Sequence, residues 1–184
     1  MQHQVETRDG TVTDYPAAFE DVFAANREFA ASFDEGDLPA FAARGLAVIT
    51  CMDSRLDPLR ILGLRRGDAK ILRNAGARVT GDVLRTLVLA VYLLGVDRIL
   101  VMPHSNCRMA QSSEDEIHAL IKREYDVDTR SLEFQTDTDQ LSALRSDLNR
   151  IAANPLLPKT VAIAGALFDV GTGVLTSVEF DDAR

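Results

Sequence analysis

The chain has 184 residues, enough for one α/β core and short for two, and its 46% apolar and 26% charged residues are those of an ordinary globular protein rather than a disordered one. A net charge of −8 argues against general binding to nucleic acid or to an anionic membrane surface. Two cysteines are too few for a disulfide scaffold, which leaves metal binding or simple burial as their use.

The opening MQHQVETRDG carries acids and no apolar stretch of leader length, and the longest apolar run, Leu87 to Gly95, is too short to cross a bilayer. A cytoplasmic protein with no membrane partner is therefore expected. Charge is uneven along the chain. Residues 44–78 hold eight Lys or Arg against three acids, and residues 111–147 hold ten acids against four bases, which reads as a solvated acidic face on the later helices.

From Tyr15 to Phe33 the residues Phe19, Val22, Phe23, Phe29 and Phe33 recur at helical spacing, and Pro16 suits a first turn. An amphipathic helix is expected here, within a helical arm over about 15–43, its Phe-rich face packing on the core or on a neighbouring subunit. Leu46 to Thr50 is a short β-branched run after Arg44-Gly45, the pattern of a strand buried on both faces. A second strand is predicted at Lys70–Arg73, broken by Asn74-Ala75-Gly76; a helix at Asp82–Leu94, stopped by Gly95; and a third strand at Arg98–Met102, halted by Pro103. A polar, helical stretch runs on to Ala153, interrupted by a loop around Asp126 to Asp139. Val161–Phe168 reads as a fourth strand, and Gly171 to Gly173 turn the chain into a last one near Val174–Phe180. Strands alternating with helices imply an α/β fold: a mostly parallel central β-sheet flanked by helices, with a C-terminal antiparallel edge strand and an N-terminal helical extension, in a single domain over residues 1–184.

Ligands of open α/β sheets gather at the carboxyl ends of strands, and two motifs fall there: Cys51-Met52-Asp53-Ser54-Arg55 after the first strand and His104-Ser105-Asn106-Cys107 after the third. One turn can aim His104 and Cys107 at the same ion while Cys51 arrives from the parallel neighbour. A Cys2His set suits zinc, and three protein ligands leave a fourth tetrahedral position for water or for a carboxylate such as Asp53. His3, in a terminus expected to be mobile, and His118, expected on an exposed helix face, are read as peripheral.

The segment VITCMDSRLDP, then ILRNAG, then the strand-ending HSNC, resembles the β-carbonic anhydrases, and the likeness runs from the N-terminal helix to FDVGTGVL near the end. The resemblance implies zinc (Zn2+) on Cys51, His104 and Cys107, with Asp53 and Arg55 as a hydrogen-bonded pair beside the fourth position. Arg55 can grip a carboxylate through two parallel N–H bonds and hold Asp53 off the metal; if the pair breaks, Asp53 can swing onto the zinc and block it. The implied reaction is attack of a zinc-bound hydroxide on carbon dioxide to give bicarbonate, with Asp53 and Arg55 as the catalytic pair. Two thiolates neutralise the ion's charge, so activity is expected to rise with pH to an apparent pKa above about 7.

The family also implies a homodimer or higher homo-oligomer. Gly76 is read as a residue that the backbone needs for positive φ beside the pocket. Family members usually have Gly where this chain has Arg108, so the turn, the pocket width and the local charge are all expected to respond to that residue. Two rival readings follow. One is a hydrolase for carbonyl sulfide or carbon disulfide using the same zinc site, since the short form of this chain is similar to the clade where carbonyl sulfide activity occurs. The other is an inactive zinc-binding or thiol-redox homologue, with Arg108 as its motive.

Overall fold

The computed structural model describes residues 3–6 and 12–180, with side chains from residue 16 onward. It divides into two compact units, residues 1–38 and 39–184.

The first unit pairs β1 (His3–Glu6) antiparallel with β2 (Val12–Tyr15), His3 opposite Tyr15 and Glu6 opposite Val12. This hairpin was not expected from the sequence. Each strand has only four residues, too few for a pattern of alternation to register, and β1 has a single strong β-former, Val5. His3 therefore lies in a strand. A 3-10 turn at Ala17–Phe19 leads into α1 (Glu20–Ala31), shorter than the helical arm expected over about 15–43, since Tyr15 lies in β2 and residues 33–43 are not helical. Glu20 and Asp21 stand in its first turn, where the helix dipole favours negative charge. None of the residues of α1 is buried.

The second unit runs β3 (Leu46–Cys51), α2 (Pro58–Ile61), β4 (Ala69–Asn74), α3 (Gly81–Leu93), β5 (Arg98–Met102), α4 (Glu114–Tyr125), α5 (Gln140–Ala152), β6 (Ala162–Phe168) and β7 (Leu175–Val178). The sheet order is β4-β3-β5-β6-β7, parallel except for β7, which pairs antiparallel with β6 at the edge. The predicted architecture is therefore the observed one. β3 is an interior strand, between β4 and β5, which is why Ala47, Val48, Ile49 and Thr50 are all fully buried and why its run lacks polar alternation.

Successive side chains of β3 and β5 serve opposite faces. Ala47 and Ile49 join Ile99, Val101, Leu87 of α3 and Leu144, Leu148 and Ile151 of α5 in the larger core, while Val48 and Met102 join Leu56, Cys107 and Phe168 in the smaller. The second core is the floor of the site. Leu148 is completely buried, so Leu148→Ala would cost about 2–5 kcal/mol through lost burial and the cavity left behind.

Helix starts are written locally. Thr80 accepts from Val83 N at α3, Asp139 accepts from Ser142 N at α5, and Ser113 and Glu116 form a reciprocal capping box at α4. The stretch between α4 and α5 stays irregular, as expected, but it is tied down: Glu114 accepts from Gln135 N at 3.1 Å and from Phe134 N. His118 takes part in this. Its Nδ1 lies 2.8 Å from Thr129 Oγ1 and its ring 4.9 Å from that of Phe134, so it is a half-buried packing residue, not the exposed surface histidine expected from the polar helix.

Candidate metal centre

β3 and β5 are hydrogen-bonded neighbours with Thr50 opposite Met102, so the turns that follow them lie side by side, and Thr50 Oγ1 donates to Met102 O at 2.7 Å. The ligand atoms of Cys51, His104 and Cys107 lie within 4.8 Å of one another and all three residues are buried. The two sulfurs are 3.9 Å apart.

The state of the His104 ring follows from its neighbours. Nδ1 is 2.9 Å from the carbonyl of Ser105, which can only accept, so Nδ1 carries a proton, and in the neutral ring the lone pair is on Nε2. Nε2 is buried without a hydrogen-bond partner among the described residues. Leaving such an atom unpaired costs about 1–3 kcal/mol, and a metal ion removes that cost by taking the lone pair. One imidazole nitrogen and two sulfurs at this spacing form a donor set that fits zinc.

Charge at the cluster points the same way. The Cys51 thiol is lowered, chiefly by its contact with the Cys107 sulfur, with burial opposing and His104 assisting. Cys107 is pushed up by that same contact and by burial. Burial, the largest single influence, disfavours a charged His104, but the Cys51 sulfur, the Ser105 carbonyl and Asp53 together outweigh it and raise the imidazole. Two buried sulfurs in contact disfavour losing both protons unless a cation takes their place.

Asp53 stands beside the cluster but is held by Arg55. Arg55 Nε donates to Oδ1 at 2.9 Å, Nη2 to Oδ2 at 2.7 Å, and the Arg55 backbone N–H to Oδ1 at 2.9 Å. These bonds hold the Asp53 carboxyl well below the usual carboxylate range. Arg55 Nη2 also donates to Asn106 O at 3.1 Å, which joins the two motif turns.

Two positions that sequence reasoning passed over complete the frame. Arg73, in β4 opposite Thr50, donates from Nε to Cys51 O at 2.9 Å and from Nη2 to Asp53 O at 2.6 Å. The run ILRNAG contains Arg73, and pairing that strand with β3 would have placed it. Gln140, in the first turn of α5, donates to His104 O at 2.8 Å, and nothing in the local sequence signals that.

Gly76 has φ 78°, as the sequence reading favoured, and a side chain there would also press to 3.3 Å from Met109 Cβ. A small cavity of about 20 Å³, room for one water, lies against Cys107 and Gly76, bounded by Arg78, Met109, Gln140 and Asp147. Arg108 does not line it. Arg108 is exposed and opens a 3-10 turn, and the positive φ in this turn belongs to Asn106, at 56°. Arg108 therefore needs no glycine-like backbone at that position.

A family model described as carbonic anhydrase matches residues 46–175. The beta-carbonic anhydrase 1 of Mycobacterium tuberculosis is 37% identical over 168 residues, covering 91% of this chain and 98% of the relative. A carbon disulfide hydrolase of Acidithiobacillus thiooxidans is 31% identical over 157 residues, covering 74% and 78%. Among solved structures, the crystal structure of carbonic anhydrase from Streptococcus mutans superposes with a TM-score of 0.83 at 36% identity, over 90% of this chain and 99% of that one. With its parallel sheet, its paired motif turns and its buried Cys-His-Cys cluster, this chain belongs to the β-carbonic anhydrase family.

Proposed function

We propose that this protein hydrates carbon dioxide to bicarbonate with zinc held by Cys51, His104 and Cys107. The observation that carries this is Nε2 of buried His104, which has no hydrogen-bond partner among the described residues and belongs to a cluster whose ligand atoms, with those of Cys51 and Cys107, lie within 4.8 Å of one another. Zinc, when bound, supplies Lewis acidity that makes water a nucleophile near neutral pH.

The chain's own groups do the rest. Arg55 keeps Asp53 ionised and turned to itself, which leaves the fourth position on the cluster open to water rather than to the carboxylate. Ionised Asp53 is an acceptor only, so it orients water by taking a hydrogen bond and leaves the oxygen lone pair free. Arg73 fixes the backbone carbonyls of Cys51 and Asp53, so that both side chains leave a rigid turn.

Two buried reduced thiols suit a reducing compartment such as the cytoplasm. Leu89, Tyr92 and Leu93 leave 43%, 62% and 62% of their surface exposed on or beside α3, which suits a homodimer or higher homo-oligomer.

Stopped-flow carbon dioxide hydration at pH 8.5 on zinc-quantified protein, beside Cys51→Ser, tests the reading. Turnover that vanishes in the variant supports it; zinc-loaded wild-type protein without turnover refutes it. The carbon disulfide hydrolase relative supports a second substrate class for the same residues, carbonyl sulfide or carbon disulfide. Sulfide release that outpaces hydration on the same preparation would select it.

A further inference from the structure

We infer that Gln140 is a positioning residue for the metal ligand His104, a role that rests on the proposed zinc reading. His104 is completely buried, so its main-chain carbonyl needs a partner within the protein. The neighbouring groups are already engaged: Phe168 N donates to Pro103 O, Ser105 N donates to Phe168 O, and Val170 N donates to Ser105 Oγ. These bonds fix the turn to the end of β6. The His104 carbonyl instead receives Gln140 Nε2 at 2.8 Å, across from α5.

Position and chemistry make this contact specific. Gln140 is the first residue of α5, and Asp139 before it accepts from Ser142 N, so the start of the helix is fixed and the side chain has a rigid base. The amide is also the one group on this side chain that can donate, and a carbonyl can use nothing else. His104 is then held twice: Ser105 O sets the ring tautomer, and Gln140 sets the backbone from which the ring projects. Gln140 also borders the cavity against Cys107, so it touches the frame of two ligands.

The test compares Gln140→Met, which keeps the reach and removes the donor, with Gln140→Glu, which keeps the shape and turns an acceptor toward an acceptor. Zinc affinity is measured by chelator competition, the ligand field by the visible absorption of cobalt-substituted protein, and the fold by the melting temperature of metal-free protein. Both variants are expected to bind zinc about tenfold more weakly and to change the cobalt spectrum, in addition to the lower metal-free melt that an unpartnered buried carbonyl brings, and Glu should not weaken the start of a helix. Zinc affinity within twofold of wild type and an unaltered cobalt spectrum in Gln140→Met would overturn the inference, as would a fall in the metal-free melt with no loss of affinity. If one variant fails to fold, the other decides. All three readouts stand apart from turnover: a wild-type protein that binds zinc but hydrates nothing would end the carbon dioxide reading and leave the role of Gln140 to be judged on affinity and spectrum.

Discussion

Arg55 grips both oxygens of Asp53, at 2.9 and 2.7 Å, while Asp53 Oδ2 stands only 3.8 Å from Nε2 of His104. The carboxylate is thus restrained beside the donor cluster by one exposed side chain. Replacing Arg55 by Ala should release it to compete for the fourth position, with a fall in hydration rate of about a hundredfold. Zinc content should be unchanged. Stopped-flow rates of Arg55→Ala and of Arg55→Ala/Asp53→Ala check this: the double variant should recover part of the loss, and a double variant no faster than the single would count against a blocking carboxylate.

Arg108 is exposed and adopts no positive φ, so Arg108→Gly should bring little. The expected effect is a loss of stability of about 0.5–1 kcal/mol from the freer unfolded chain, with turnover changed less than threefold. Urea denaturation and stopped-flow rates measure the two. A large gain in rate would show that the arginine does restrict the site.

Asp169 Oδ1 accepts from Gly171 N at 2.9 Å, Thr172 N at 2.7 Å and Thr172 Oγ1 at 2.9 Å, and these bonds, those of Thr172 first, hold its carboxyl below the ordinary value. A group with a lowered folded-state pKa stabilises the fold above its unfolded value, about 3.9, and loses that contribution as pH falls through the folded one. Asp169→Asn should therefore lower the urea midpoint at pH 7, and the gap to wild type should close below about pH 4. An equal gap at both pH values would mean that charge is not the cause.

Two glycines should respond to alanine with opposite sign. At Gly165 in β6 a Cβ would lie 2.7 Å from Leu148 Cδ1 and 3.3 Å from two Leu144 carbons, so Gly165→Ala should cost about 1–3 kcal/mol by overpacking. At Gly81, the first residue of α3, nothing lies within 4 Å, and Gly81→Ala should stabilise by about 0.4–1 kcal/mol. Paired thermal melts of the two variants decide it.

Arg78 Nε meets Asp147 Oδ2 at 2.7 Å, and the aspartate side chain is only 3% exposed. Arg78→Met would strand a buried carboxylate at a cost of about 3–5 kcal/mol, and adding Asp147→Leu should restore most of it. Chemical denaturation of the single and double variants reads out the difference; a double variant as weak as the single would mean that the loss is packing.

What the sequence by itself determined was local. The runs at Leu46–Thr50 and Arg98–Met102 are strands because β-branched residues bounded by turn signals have few other stable forms, and His104 and Cys107 share one turn because so few residues separate them. The family motifs rest on the same short-range pattern.

Tertiary structure decided everything that depends on distant parts of the chain meeting. That Cys51 completes the cluster required β3 and β5 to pair; that Arg73 holds Cys51 O and Gln140 holds His104 O required β4 and α5 to take up their places. A side chain's polarity does not name its partner, because the donor of a long glutamine or arginine can reach any carbonyl that folding brings near. His118 makes the same point: its helix face is polar, and only the return of the chain past Thr129 and Phe134 covers it. Arg108 is the converse case, where the dihedral angles of the turn, with the positive φ at Asn106, removed a conflict that the residue type alone suggested.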